Sequence, residues 1–299
     1  MSFDVADTFC TEGLVTSGVV DLVWGCGWRA PTYESMRSAE GGCFVGVHNS
    51  ECADRNKGLV LPCKAVIFTF LRELPDTLTQ IERERPDGHF VVIARDSDST
   101  VESVLGVRGI HSAVKHLFTV HCMRETARIT SMPFALRWAD HVKGLSAVAA
   151  ATARKHDNFV LLAHRLPKHL SDNHERHAAY ADLQDRPWVT AIRADGERDP
   201  LSNTEYLTAL RCHDYFVAAS NDNGAERHAM WEALALGTIP ICTQRQRRWA
   251  EMPIVVVDDW TDVTLSLCEE QIASARSKTM EKLSLAYWIE MVRQKAEDL

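Results

Sequence analysis

A polar turn that contains glycine, placed between a strand and a helix, is the strongest chemical signal in the sequence. The stretch from Tyr215 to Ile241 reads YFVAASNDNGAERHAMWEALALGTIPI, which predicts a strand, a turn, a helix and a second strand. Backbone N–H groups at the start of such a helix are suited to binding phosphate. Arg227 and His228, in the first helical turn, can add charge-assisted hydrogen bonds to a diphosphate. Glu232 lies on the same helix face as His228, where its carboxylate can accept two ribose hydroxyls.

A second arginine is the predicted partner of Arg227. Arg176 opens a predicted helix after the strand Phe159–Ala163, so it also follows the carboxyl end of a strand. We expect the two arginines to hold a diphosphate from two sides, although Arg176 could equally be a solvated helix charge. The residues assigned to the nucleotide ligand are Arg176, Ser220, Asn221, Asn223, Gly224, Arg227, His228, Glu232 and Thr243.

The string NGAERHAMWEALALGTIPI, with YFVAAS before it and MPIVVVDDWTDVT after it, resembles the exostosin-like glycosyltransferases. The resemblance extends from about Tyr206 to Thr264 and, more weakly, over about Ala65 to Val101. It implies a GT-B fold, inverting chemistry and a nucleotide-sugar donor, usually a UDP-sugar. We expect no essential divalent metal or other cofactor. It also implies that Glu232 holds the ribose and that Arg227, with the turn before it, holds the diphosphate.

Two aspartates after another strand are the candidates for a general base, which an inverting sugar transfer needs to take the proton of the acceptor hydroxyl. Asp96 and Asp98 directly follow the predicted strand His89–Ala94. Asp98 matches the resemblance slightly better, and Asp96 is close behind. Either aspartate could instead cap the following helix or turn, which is a common role for this residue.

The same aspartates leave a second kind of glycosyltransferase open. GT-A enzymes hold a divalent metal on the donor diphosphate with an Asp-x-Asp after an apolar strand, and Asp96 with Asp98 would supply the hard oxygen ligands. A metal site at these aspartates would leave the predicted phosphate-binding turn before Arg227 with no function, so we favour the metal-free GT-B enzyme. A third possibility is a module that binds a nucleotide sugar or glycan without turnover, since its nucleotide half would look identical.

Aromatic and basic residues near the N-terminus are candidates for the acceptor side. Trp28 and Tyr33 could stack on sugar faces and Arg29 could bind ring hydroxyls, although aromatic side chains more often belong to the core. The expected acceptor is an oligosaccharide or glycoconjugate. The histidines at positions 164, 169, 174 and 177 are spaced as in a loop rather than as a zinc ligand set, so no metal site is predicted.

Composition favours a soluble cytoplasmic protein. The 299 residues carry 33 Lys and Arg against 41 Asp and Glu, a net charge of −8, which argues against nucleic acid as a partner. Nine cysteines without a C-x-x-C pair are typical of free thiols in a reducing compartment. No apolar run approaches the roughly 20 residues of a membrane helix, and the N-terminus lacks the pattern of a signal peptide.

Short apolar strands alternate with helices along the whole chain, which predicts βαβ units and strands buried on both faces. The predicted fold class is therefore α/β, and it is GT-B-like, with two Rossmann-type parallel-sheet domains facing a cleft. We place an acceptor-binding domain at residues 1–150 and a nucleotide-sugar-binding domain at 151–278. The amphipathic segment 279–299 is predicted to be a C-terminal helix that packs back on the first domain.

Overall fold

The computed structural model divides the chain into two compact units. The first unit contains Phe9–Arg137 and Leu285–Leu299, and the second contains Trp138–Ser284 and Met1–Thr8. The chain therefore passes between units after Arg137, whereas the sequence placed the domain change near residue 150. The structure describes residues 4–9, 13–14, 17, 20, 22–24, 61–95, 99–106, 109–122, 124–134, 136, 139–151, 159–165, 174–194, 201–220 and 226–298.

The first unit is built on a five-stranded parallel sheet whose strands follow one another in chain order. Its strands are β1 (Leu22–Trp24), β2 (Lys64–Phe70), β3 (His89–Arg95), β4 (Val114–Thr119) and β5 (Ile129–Ser131). Every residue from Ala65 to Phe70 is buried, as expected for a strand covered on both faces. Because each described strand lies beside the next one along the chain, this sheet has no point at which the described strand order reverses.

The helices that the structure describes in the first unit include α1 (Leu74–Glu84), α2 (Val101–Leu105) and, near the end of the chain, α8 (Leu285–Glu297). Pro75 lies in the first turn of α1, where its missing N–H costs no hydrogen bond. Trp288 of α8 is 1% exposed, and its ring lies 6.0 Å from that of Phe9 and 6.5 Å from that of Phe118. The apolar face of α8 is thus buried in the core of the first unit.

The second unit is also built on a five-stranded parallel sheet, with the strand order β10-β9-β8-β6-β7. The strands are β6 (Val160–Arg165), β7 (Val189–Ala194), β8 (Tyr215–Val217), β9 (Ile239–Thr243) and β10 (Val255–Val257). The helices are α3 (Ala139–Ala150), α4 (His174–Leu183), α5 (Asn203–Cys212), α6 (His228–Ala235) and α7 (Leu265–Arg276). The chain runs from β6 outward to β7 and then returns to the other side of β6 at β8.

That reversal between β6 and β8 is the topological switch point of the second unit. In open parallel sheets, ligands bind beyond the carboxyl ends of the strands at this point, because the connections on either side leave in opposite directions and open a crevice. The predicted α/β fold class with two Rossmann-type parallel sheets is confirmed. The strand order also fixes where a ligand site in the second unit is to be sought.

Candidate functional site at the switch point of the second unit

His164 lies near the carboxyl end of β6, next to the switch point, and its side chain is buried there. Its Nε2 lies 2.5 Å from the carbonyl oxygen of Val217 in β8, so the imidazole bridges the two strands. Burial and, to a smaller extent, the nearby guanidinium groups of Arg176 and Arg227 lower the pKa of His164 to about 3. His164 is therefore neutral at pH 7, and two positive side chains act on it.

The structure brings the two predicted diphosphate-binding arginines to this point. Arg176, at the start of α4, is 6% exposed, and Arg227, just before α6, is half-buried. Both guanidinium groups act electrostatically on His164 and also on the hydroxyl of Tyr206 in α5. Two positive side chains from different strand-to-helix connections thus act on the same buried groups, an arrangement that favours an anion.

The start of α6 differs from the sequence-based expectation. The sequence predicts Arg227 in the first helical turn, but α6 begins at His228. Arg227 is the N-cap residue, with an extended backbone (φ −119°, ψ 155°) and no capping hydrogen bond from its side chain. A guanidinium group has only donors, so the Arg227 side chain cannot accept from the N–H groups that open α6.

Glu232, predicted to hold a ribose, is buried within α6 and contacts two other helices. Its Oε1 lies 3.1 Å from Nε2 of His141 in α3. The Glu232 carboxylate raises the pKa of His141 above its ordinary value, against the opposing effect of burial. Burial, followed by the charge of Glu232, raises the pKa of Tyr206, so its hydroxyl stays protonated and can donate to the carboxylate. His141 and Tyr206 were not anticipated from sequence, where they carry no distinctive spacing.

Ser220 and Thr243, both predicted to bind the nucleotide, meet at a carboxylate that the sequence analysis did not single out. The Ser220 hydroxyl donates to Oε2 of Glu175, and the Thr243 hydroxyl donates to Oε1 at 3.0 Å. Arg245 approaches the same carboxylate at 4.0 Å. Glu175 therefore connects the start of α4 to the ends of β8 and β9. The only available sequence signal was its position directly before Arg176.

A second buried carboxylate, Glu226, fixes the segment that enters α6. It accepts Nε and Nη2 of Arg248 at 2.9 and 2.5 Å, and Nε1 of Trp249 at 2.6 Å. Its side chain is completely buried. The 3₁₀ helix Gln244–Trp249, which supplies both donors, is thereby fastened to the residue next to Arg227. Glu226 also borders a cavity of about 10 Å³, roughly the size of one water molecule, with His164 and Ser220.

Several predicted site residues lie outside the residues that the structure describes, and their assignments remain predictions. These are the turn residues Asn221, Asn223 and Gly224, the candidate bases Asp96 and Asp98, and the acceptor candidates Trp28, Arg29 and Tyr33. His228 is described and is the first residue of α6. Within the part of the chain that is described, no group of three or more His, Cys, Asp or Glu residues could hold a metal ion.

Of the comparisons with known proteins, only the one with solved structures found similar proteins. No family model and no curated protein matches the sequence. An alpha1,3-fucosyltransferase solved with GDP-fucose is similar at a TM-score of 0.43 and 11% identity, over 93% of this chain and 82% of that one. The N-terminal domain of Candida albicans trehalose-6-phosphate phosphatase is similar at a TM-score of 0.39 and 11% identity, over 83% and 71% respectively. None of the helices in the described residues has the length and apolar character that crossing a membrane requires.

Proposed function

We propose that this protein is a glycosyltransferase that transfers a sugar from a nucleotide-sugar donor to a hydroxyl group of a glycan. One observation carries the proposal: the guanidinium groups of Arg176 and Arg227 both act on His164 at the switch point of a parallel sheet. This is the place where such sheets bind nucleotides, and two guanidinium groups there match the charge of a diphosphate. The exostosin-like sequence pattern favours a UDP-sugar as the donor.

Each part of the donor has residues proposed to bind it. The diphosphate is bound by Arg176, Arg227 and the N–H groups that open α6. The ribose is bound by Glu232, whose carboxylate is oriented by His141 and Tyr206. Glu226 and its contacts with Arg248 and Trp249 keep the entry to α6, and with it Arg227, in place. These buried contacts support a preorganised site, because none of them has to form when the ligand arrives.

The proposed chemistry is a single displacement with inversion and without a metal ion. The acceptor oxygen attacks the anomeric carbon while the bond from that carbon to the diphosphate oxygen breaks. The proton of the acceptor hydroxyl passes to Asp98 or Asp96, and the nucleoside diphosphate leaves as an anion. Arg176 and Arg227 stabilise the negative charge that develops on it. Trp28, Arg29 and Tyr33 remain the proposed acceptor-binding residues.

A thermal-unfolding screen with nucleotides and nucleotide sugars tests this proposal. A ligand that binds only the folded protein raises the melting temperature by mass action, and at 100 times its dissociation constant it adds about 2.7 kcal/mol. We expect UDP and at least one UDP-sugar to stabilise the wild type in the presence of EDTA. The variants Arg176→Gln and Arg227→Gln should lose that stabilisation.

Product analysis distinguishes the proposal from its alternatives. Transfer to a glycan acceptor, or slow donor hydrolysis, should persist in EDTA and disappear in Asp96→Asn or Asp98→Asn while donor binding remains. A strict requirement for Mn²⁺ or Mg²⁺ would favour the GT-A chemistry instead. Donor binding with no transfer to any acceptor and no hydrolysis would favour a binding module without turnover.

A further inference from the structure

Side chains of opposite charge lie at neighbouring places along the carboxyl edge of the second unit's sheet. Arg176 and Arg227 make the edge cationic at the switch point between β6 and β8. Beyond it, at the ends of β8 and β9, the carboxylate of Glu175 is held by Ser220 and Thr243. A ligand that covers both places is anionic at one end and, at the other, neutral and able to donate hydrogen bonds.

We propose that Glu175 is a binding residue for hydroxyl groups on a sugar ring of the nucleotide sugar, an inference that rests on the proposed function. The ring is the sugar that is transferred, since it presents neighbouring hydroxyl groups and the two ribose hydroxyls are assigned to Glu232. Glu175 then discriminates a polyhydroxylated ligand from a purely anionic one at this edge.

The carboxylate of Glu175 is fixed in a geometry that leaves acceptor capacity. Its side chain is 9% exposed, and each oxygen accepts one hydroxyl, from Thr243 on Oε1 and from Ser220 on Oε2. A carboxylate has about four lone-pair sites, so each oxygen can accept a second hydrogen bond. Two neighbouring ring hydroxyls match such a pair of acceptors. Arg245, at 4.0 Å and with its side chain 46% exposed, is too distant to occupy them.

A buried amide close to Thr243 borders the small cavity at this edge of the sheet. Gln246 is 1% exposed, and its Oε1 lies 3.4 Å from the Thr243 hydroxyl. Its Nε2 has no hydrogen-bond partner among the described residues, and the side chain borders the small cavity shared with Ser220 and Arg227. A buried donor without an acceptor is costly, so an oxygen atom of a ligand or of water is expected beside it.

A phosphate group does not fit the place that Glu175 occupies. The hydroxyl hydrogens of Ser220 and Thr243 already point to the carboxylate, so they cannot also donate to phosphate oxygens. The negative charge of Glu175 would in addition repel a phosphate. A neutral group that donates hydrogen bonds, such as a sugar hydroxyl, is accepted at the same place.

The variant Glu175→Gln tests the inference by isothermal titration calorimetry with UDP, 2′-deoxy-UDP and the UDP-sugar that most stabilises the wild type. Removing a hydrogen bond to a charged group should weaken binding of the hydroxyl-bearing ligand by about 10- to 100-fold. We expect only the UDP-sugar to bind more weakly, because it alone carries the transferred sugar, and this pattern supports the inference. Weaker binding of UDP as well would place the contact at the nucleotide and overturns the inference.

Equal or tighter binding of all three ligands by Glu175→Gln, relative to the wild type, overturns the inference and leaves the proposed function standing. A wild type that binds none of them contradicts the proposed function itself. Glu270→Gln is the matched control, because Glu270 also accepts a serine hydroxyl, from Ser266 at 2.8 Å, but on the exposed surface of α7. If Glu175→Gln does not fold, the same titration is done with Thr243→Val. This variant removes the hydroxyl that orients Oε1 of Glu175, so it should weaken binding of the same ligand.

Discussion

The carboxylate of Glu232 in α6 lies 3.1 Å from Nε2 of His141 in α3, and this contact joins the helix that carries the proposed ribose-binding residue to a neighbouring helix. The side chain of Glu232 is 8% exposed and that of His141 is 23% exposed, so the pair is largely shielded from water. Its strength depends on the protonation of His141, and this gives the stability of the second unit a defined pH dependence.

The His141–Glu232 pair should stabilise the protein in mildly acidic solution. The pKa of His141 is raised in the folded state by Glu232, so its contribution is fully present below the unfolded value of about 6.5 and is lost as the pH rises through the folded pKa. We expect His141→Gln to cost about 1 kcal/mol at pH 5.5 and clearly less at pH 8.5. Urea unfolding of both proteins across this range measures the difference.

Two other histidines give the free energy of unfolding of the wild type the opposite pH dependence. Burial lowers the pKa of His116 to about 4 and that of His164 to about 3, so each favours the folded state above pH 6.5 and opposes it as the pH falls. The pH dependence of the wild-type stability therefore combines opposing contributions. The contribution of the His141–Glu232 pair is isolated only by subtracting the stability of His141→Gln from that of the wild type. A difference that does not vary with pH contradicts the assignment.

Loss of Arg176 should weaken nucleotide binding without unfolding the protein. We expect Arg176→Gln to reduce the affinity for UDP by about 10- to 100-fold, because one charge-assisted contact to the diphosphate is removed. Arg83→Gln is the control, since Arg83 in α1 is 68% exposed and lies in the first unit. Calorimetric titration at two salt concentrations checks the result, and unchanged UDP affinity in Arg176→Gln argues against a diphosphate at this point.

The Arg176 variant has a second, independent readout. The guanidinium group of Arg176 lowers the pKa of His164, after the larger effect of burial, so its removal should raise that pKa. An NMR titration of the His164 imidazole in the wild type and in Arg176→Gln measures this change in the absence of any ligand. No upward change would show that Arg176 does not lie beside β6 in solution.

Glu226 should contribute far more stability than a surface carboxylate. Replacing it with alanine leaves the Arg248 guanidinium and the Trp249 indole N–H without their acceptor, and breaking a buried charged pair costs about 3–5 kcal/mol. The matched surface pair is Arg276 with Asp214, where Arg276 is 47% exposed, and Arg276→Gln should cost about 1 kcal/mol or less. Denaturant unfolding of both variants compares them, and similar costs would contradict the proposed anchoring role.

Truncation of Trp288 should destabilise the first unit, although this residue is close to the end of the chain. Trp288 is 1% exposed and packs against Phe9 and Phe118, so Trp288→Ala should cost about 3–5 kcal/mol. Trp288→Phe keeps an aromatic ring and should cost less. Chemical denaturation measures both variants, and a cost below 1 kcal/mol for the alanine variant would show that α8 adds little to this core.

The sequence by itself determined the local structure around the site. The continuous apolar run at Tyr215–Ala219 predicted a strand buried on both faces, and β8 is such a strand. Because polar residues follow the strand and precede a helix, their position at the carboxyl edge could also be predicted. The sequence placed Arg227 inside the first turn of α6, whereas Arg227 is its N-cap, since propensity does not fix the residue at which a helix begins.

Only the tertiary structure decided which of these strand ends are neighbours. The order β10-β9-β8-β6-β7 puts the switch point between β6 and β8, and it thereby brings Arg176 close to Arg227 and Glu175 close to Thr243. Chain spacing carries no such information, because the connection after a parallel strand can lead to either side of the sheet. Strand order is settled by the packing of all helices and strands together, so the partners of Glu175 and Glu232 became visible only in the folded chain.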